Sequence, residues 1–251
     1  MSEPLDFTRY PLTGRFLAGR ARHLMTSSQE RRLEEMVAET RTLATGERII
    51  ARGDVCDNST MLIEGFMLRS LETGGKRHAV SFHVPGDFVD LHCFALKRLD
   101  HNIDCVGPTT IGLVPHRSLK QAMAEDADLG RLLWFSTLLD AAMHRQWIMK
   151  LEQLTVPRRI ANIVAEIWRR LEMVGLADDG GFDTPLTQTN FAEMCGSTPI
   201  HANRAVGKLR NLGIADFRRG RIDIPSREEL ENYADFEPDY LYGDGDLYLR
   251  A

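Results

Sequence analysis

Residues 186–224, LTQTNFAEMCGSTPIHANRAVGKLRNLGIADFRRGRIDI, carry two short helical patterns, a tight turn between them and a basic hairpin. Phe191, Ala192, Met194 and Cys195 give the first helix its apolar residues, Gly196 ends it, and Ser197-Thr198-Pro199 opens the second. Thr198 supplies a cap oxygen and Pro199 a φ already suited to a first helical turn. Beyond them Ala202, Ala205, Val206, Leu209 and Leu212 recur at steps of three and four and share one face, while Ile200, His201, Arg204 and Lys208 fall on the other. Gly213 stops the helix, and the alternation from Ile214 to Ile224 suits a hairpin whose tip carries Arg218, Arg219 and Arg221. A packed face, an outward face and a basic hairpin predict a winged helix-turn-helix, a device that lays its second helix in a DNA groove.

At 251 residues, 43% hydrophobic and 27% charged, the chain holds enough apolar material for two cores and is not compositionally disordered. Its net charge of −5 looks unsuited to a polyanion, yet residues 186–222 hold six Lys or Arg against two Asp or Glu, and local charge governs groove binding. Nine acidic residues then lie between Asp223 and Asp246 against Arg227 alone, in a segment that also holds Tyr233, Phe236, Tyr240, Tyr242 and Tyr248. This reads as a helix from Ser226 followed by an ordered or partner-facing tail. There is no run of eighteen apolar residues, and Met1–Tyr10 has neither a secretory nor a transit pattern, so a cytoplasmic protein without a membrane partner is expected. Cys56, Cys93, Cys105 and Cys195 lie far apart without a C-x-x-C pair, which favours free buried thiols over disulfides or a zinc knuckle. An enzyme is not expected: the chain has no nucleophile elbow, phosphate-cradling Gly-rich loop or ligand triad, and Gly74-Gly75 reads as a hairpin turn.

From Arg48 to Val114 the pattern changes to short alternating runs separated by Gly, Pro and Asp, the spacing of a small β-barrel or roll. Together with the H-x-N-R run His201-Ala202-Asn203-Arg204, several pieces carry a resemblance to the Crp/Fnr transcription regulators over nearly the whole chain: Gly46-Glu47, Arg52-Gly53, Met61 to Gly65, and Pro85-Gly86-Asp87-Phe88-Val89. The resemblance implies an α+β chain: an N-terminal cyclic-nucleotide-binding-like β-roll in residues 1–127, a dimerisation helix in 128–154, and a C-terminal winged helix-turn-helix with an acidic tail in 155–251. The chain departs from cyclic-nucleotide-binding relatives, which carry a Gly-Glu turn and then an Arg-Ser pair that holds the cyclic phosphate; here stand Asp90-Leu91 and His101-Asn102. A buried phosphate without a guanidinium loses its charge-assisted hydrogen bonds and keeps its desolvation cost, so cyclic nucleotides are not expected to bind in that manner. No cysteine precedes Cys56, so the N-terminal iron–sulfur centre of the oxygen-sensing branch is not expected, nor is any other cofactor.

His78, His83, His92, His101 and His116 share this half with Cys93 and Cys105, which raises a metal, haem or thiol-redox alternative. His78 and His83 are an odd number of residues apart and so point to opposite faces of a strand, and no H-x-H pair exists, which weighs against a metal. Thiol sensing by Cys93 with Cys105, or by Cys195, stays open beside buried inert thiols.

Between the halves, Leu132, Phe135, Leu139, Ala142, Gln146, Met149 and Gln153 repeat at alternating steps of three and four, the period of a two-helix seam. A second line, Trp134, Leu138, Ala141, Ile148 and Leu151, is then expected against the chain's own barrel. A helix-turn-helix dimer must place two recognition helices about 34 Å apart, and a two-fold axis along this helix supplies that spacing. Val156-Pro157 marks a break ahead of a second helix, which corresponds to the hinge of Crp/Fnr relatives.

The resemblance places Ile200, Asn203 and Arg204 at base-facing positions. Arg204 can grip guanine O6 and N7, Asn203 can pair with adenine N6 and N7, and Ile200 can touch only apolar groups such as a thymine methyl. Thr187, Gln188, Thr198, His201 and Lys208, with Arg218, Arg219 and Arg221 of the wing, are suited to phosphates. The expected function is a sequence-specific transcriptional regulator, a homodimer on palindromic double-stranded DNA that works with RNA polymerase and is not governed by cyclic nucleotides. The alternatives are a metal-, haem- or thiol-redox-responsive sensor, or a cyclic-nucleotide-binding signalling module.

Overall fold

The computed structural model describes residues 7–19 and 25–242. The far end of the acidic segment, including Asp246 and Tyr248, and most of Met1–Tyr10 lie outside the described residues.

Two short helices, α1 (Gly14–Ala18) and α2 (Ser27–Glu35), precede a sheet of β1 (Glu39–Leu43), β2 (Arg48–Ile50), β3 (Asn58–Thr73), β4 (Lys76–His83) and, after the one-turn α3 (Cys93–Leu96), β5 (Asn102–Pro115). The order is β1-β5-β3-β4 with β2 also on β5, antiparallel throughout. Strands β3 and β5 run for 16 and 14 residues, longer than the alternating runs of the sequence indicate. Both faces of β3 are largely covered, so its sequence reads as an apolar run rather than as an alternation. Register shifts between Leu62 and Phe66 bend it. Gly65 makes the bend possible: its φ is +85°, and a Cβ there would stand 2.4 Å from the Pro108 carbonyl oxygen. The rolled sheet closes on Leu62, Met67, Val89, Ile103 and Ile111. Gly74 and Gly75 form the two-residue turn between β3 and β4, with Thr73 paired to Lys76 and both glycine φ values positive.

The helix α4 (His116–Glu125) leads to the 27-residue α5 (Ala127–Gln153), whose N-cap Asp126 accepts from Leu129 N at 2.8 Å. The line of α5 expected at a two-helix seam is instead the one packed within this chain. Leu132, Phe135, Leu139 and Ala142 are buried within this chain, with Met143 and Trp147 continuing the inner face, and Gln146 is half-buried. The outer face carries Trp134, Leu138 and Ile148, which are 62, 51 and 66% exposed, with Ala141 and Leu151 exposed beside them; Met149 is also largely exposed. Both lines satisfy a 3.5-residue period, and the deeper packing of Leu132, Phe135 and Leu139 against the roll and the C-terminal segment decides between them.

Helix α5 ends at Leu154 and Thr155, both extended, so the break falls just before Val156-Pro157, and Pro157 sits in the first turn of α6 (Val156–Met173). The elbow is held by a buried polar hub. Glu166 accepts from Lys150 Nζ at 3.0 Å, from Trp147 Nε1 at 3.2 Å and from the Tyr240 hydroxyl at 2.7 Å. Burial alone would raise its pKa, but Lys150 and Arg170 hold it below the ordinary glutamate value.

The C-terminal domain continues with β6 (Ala177–Asp178), β7 (Gly181–Asp183), α7 (Gln188–Met194), α8 (Pro199–Asn211), β8 (Asp216–Arg218), β9 (Arg221–Asp223) and α9 (Arg227–Ala234), its sheet ordered β6-β7-β9-β8. Ser226 caps α9, and a 3-10 turn over Asp239–Leu241 buries Leu241 and sets Tyr242 edge-on to Phe135 of α5. Asp239–Tyr242 of the tail are therefore packed onto the rest of the chain. Arg170 of α6 donates to the Phe82 carbonyl at 2.8 Å and pairs with Asp87, and Arg77 of β4 pairs with Glu193 of α7 at 2.9 Å, so the two domains are docked. No helix among the described residues is long and apolar enough to cross a membrane.

Candidate nucleic-acid interface

The DNA-facing unit is assembled by two caps and one glycine. Thr187 and Asn190 form a reciprocal capping box at α7: the Thr187 hydroxyl accepts from Asn190 N at 3.3 Å and donates to Asn190 Oδ1 at 2.7 Å. Gly196, with φ +59°, turns the chain, and the Thr198 hydroxyl caps α8 by accepting from His201 N at 3.3 Å. Ala202, Ala205, Val206 and Leu209 pack on Phe191, Ala192 and Met194; Leu212, expected on that face, caps the helix and is 51% exposed.

The opposite face of α8 presents Ile200, 66% exposed, with His201, Asn203, Arg204 and Lys208 exposed beside it. Asn203 Nδ2 donates to Gln188 Oε1 at 2.7 Å, which leaves its own Oδ1 free for an adenine amino group. Gln188, expected on a phosphate, is thus tied to Asn203. The pair is fifteen positions apart, and only the fold brings it together.

The wing differs from its sequence reading in charge. Arg221 is held by Asp178 at 2.9 Å, Asp223 at 2.8 Å and Asp183 at 3.4 Å, and these partners raise its pKa further. Arg218 lies between Asp223 at 2.9 Å and Asp216 at 3.2 Å, and Arg210 is also taken by Asp216. Arg221 and Arg218, expected on phosphates, are therefore neutralised inside the domain. Among the described residues Arg204, Lys208 and Arg219 have no carboxylate partner, so the free positive charge is half of what the sequence count implies. The signal was present in Asp216-x-Arg218 and Arg221-x-Asp223, where a spacing of two puts opposite charges on one strand face; Asp178 and Asp183 arrive from strands that sequence reasoning did not place. A cleft of about 470 Å3 separates the wing from the start of α7, lined by Thr187, Gln188, Arg218 and Arg219.

Residues 158–233 match the Crp-like helix-turn-helix domain. The chain is a DNA-binding transcriptional regulator with a Crp-like helix-turn-helix domain. It is similar to the transcriptional activator protein FnrL of Cereibacter sphaeroides, 26% identical over 193 residues that cover 74% of this chain and 76% of that protein. The nitrogen fixation regulation protein FixK of Rhizobium meliloti is 24% identical over 195 residues, 76% of this chain and 85% of its own. The structure of FixK2 from Bradyrhizobium japonicum shares the fold with a TM-score of 0.71 at 24% identity, covering 78% of this chain and 97% of that one.

In the N-terminal roll the positions aligned with a cyclic-phosphate site are occupied by internal bonds. Asp90 is fully buried, accepts from the Thr60 hydroxyl at 2.9 Å and from Thr60 N, and burial lifts its pKa to about 6. His101 Nδ1 bonds Asp100 at 2.7 Å and the ring lies 5.4 Å from that of His92; Asn102 Oδ1 accepts from Arg52 N at 2.8 Å. The guanidinium of Arg69, 3% exposed, fills the space beneath, donating to the Val89 carbonyl and pairing with Asp140 of α5. Burial first and Arg69 second push His83 down to about 4 and His92 to about 3, so these imidazoles are neutral at pH 7. All four cysteines are buried, and burial raises Cys195 to about 12 and Cys93 higher still, which disfavours thiolates. Among the described residues no three His, Cys, Asp or Glu side chains converge as a metal requires.

Proposed function

We propose that the protein acts as a homodimer that lays its two α8 helices in successive major grooves of a palindromic duplex, in the cytoplasm and in partnership with RNA polymerase. The observation that carries this reading is the unpartnered apolar line Trp134, Leu138, Ala141, Ile148 on α5, spaced 4, 3 and 7, beside a recognition face whose Arg204 is unpaired. An exposed line of this period on a long helix calls for a second copy. Arg204 and Asn203 read bases and Ile200 makes an apolar base contact; Lys208, His201, Thr198, Gln188, Thr187 and Arg219 hold phosphates. Cyclic nucleotides are not the effector: Asp90, His101 and Asn102 are committed elsewhere, and Arg69 is tied to Asp140 rather than free for a phosphate. Titration of a selected duplex with purified protein tests the reading. Saturation at two protomers per site, unaltered by cyclic AMP or cyclic GMP, is expected; saturation at one, or binding that requires the nucleotide, overturns it.

A further inference from the structure

Four buried polar atoms without a hydrogen-bond partner surround one cavity. They are Nε of Arg15, Nδ1 of His83, Oδ1 of Asp140 and Nε of Arg170; His83 Nδ1 has only an ion-pair approach to Asp87 at 3.4 Å and Asp140 Oδ1 one to His144 at 3.8 Å, neither with hydrogen-bond geometry. All four side chains line a space of about 60 Å3 set between α1, the 83–88 turn, α5 and α6, together with apolar walls that include Phe135 and Met173. Folded proteins rarely leave one such atom unsatisfied, at about 1–3 kcal/mol each, and four around a single cavity call for an occupant. At 10–15 Å3 for each water-sized sphere, the space takes roughly four to six of them, the size of a molecule with about five or six heavy atoms. Apolar walls with a few converging polar groups are the composition of a small-molecule site.

The charges narrow the class. Arg170 is balanced by Asp87 and Glu166, and Asp140 by Arg69. Arg15 has no carboxylate partner among the described residues and makes a single hydrogen bond, to the Ile63 carbonyl at 3.2 Å. One uncompensated guanidinium calls for a monoanion, and the free Asp140 oxygen calls for a donor. We propose that this cavity is an effector site for a small hydroxycarboxylate, its carboxylate facing Arg15 and Arg170 and its hydroxyl donating to Asp140. None of Asp90, Leu91, His101 and Asn102 lines the cavity, so it is separate from the position of a cyclic phosphate. It touches the roll through His83, the dimer helix through Asp140 and the DNA-binding domain through Arg170, so an occupant acts on how the two domains are set. That regulatory consequence rests on the DNA-binding reading above; ligand binding itself does not.

Calorimetry and thermal unfolding of the full chain with glycolate and (S)-lactate, against propionate and sodium chloride of equal ionic strength, test the proposal. A hydroxycarboxylate at ten times its Kd is expected to raise Tm by about 3–6 °C, with propionate at least tenfold weaker. Arg15→Gln, and Ser136→Leu, which fills the lined space, are each expected to weaken hydroxycarboxylate binding at least tenfold while ligand-free operator affinity stays within threefold. Operator affinity of the wild type is expected to change at least fivefold when the site is filled. No binding at 20 mM, equal binding of propionate, undiminished binding by both variants, or a crystal structure at that concentration showing only water in the cavity overturns the site. Unchanged operator affinity with ligand bound overturns its regulatory role. Because ligand-free operator binding is measured throughout, its loss identifies a failure of the DNA-binding reading instead.

Discussion

Replacing Leu138 with alanine separates the two possible seams of α5 most cleanly. Leu138 is 51% exposed in a single chain, whereas its neighbour Leu139 is 5% exposed. Fully burying a leucine side chain contributes about 1.5–3 kcal/mol, so a partner that covers the exposed half contributes about 0.7–1.5 kcal/mol per protomer. Two protomers lose about 1.5–3 kcal/mol in Leu138→Ala, a roughly ten- to hundred-fold rise in the dimer Kd. Leu139→Ala instead opens a cavity inside each chain and costs about 2–5 kcal/mol of fold stability. Sedimentation equilibrium over a wide protein range gives the dimer Kd, and urea unfolding at saturating protein gives the stability. Leu138→Ala is expected to loosen the dimer with little loss of stability, and Leu139→Ala to lower stability with a dimer Kd within threefold of wild type. The reverse pattern refutes the assignment of the outer line as the seam.

Arg204→Ala is expected to remove preference between operator and random DNA while leaving much of the low-salt binding, and Arg219→Ala to weaken both alike and lower the salt slope by about 0.9; equal losses in both variants count against that division. Arg221→Ala is expected to leave the salt slope unchanged and to lower the stability of the wing, because its charge is already spent on Asp178, Asp183 and Asp223. Acid should weaken the fold through His83: the unfolded imidazole takes its proton near pH 6.5 and the folded one only near 4. The contribution is therefore full above pH 6.5 and is lost as pH falls towards 4, roughly 3 kcal/mol in all. A urea midpoint that is flat from pH 7 to 5, or a His83→Asn variant with the same slope as wild type, contradicts this. Lys150→Met removes the nearer of the two cations on the buried Glu166 carboxylate, leaving Arg170, and is expected to cost up to about 3–5 kcal/mol in urea unfolding; a loss under 1 kcal/mol would show that the hub does not hold α5 to α6.

The recognition unit was legible in the sequence because its determinants are local: Thr187 and Thr198 cap, Gly196 turns, and the steps of Ala202, Ala205, Val206 and Leu209 define a face. Which face of α5 is buried within the chain was not, because two apolar lines of equal period differ only in what the rest of the chain packs against, and Phe135 meets Tyr242 from more than a hundred positions away. The wing charges failed for the same reason, since Asp178 and Asp183 reach Arg221 only through the pairing of β7 with β9. Arg69, buried against Asp140, left no sequence signal at all: an arginine in an apolar strand looks like an exposed edge residue until α5 is laid over it.

Selection of bound duplexes from a random pool by the purified wild-type chain, without added ligand, tests the central claim most directly. Enrichment of a two-fold symmetric site, with half-site centres about one helical turn (10–10.5 base pairs) or a multiple of it apart, is the predicted result. A pool that stays random, or that converges on a single unpaired half-site, contradicts it.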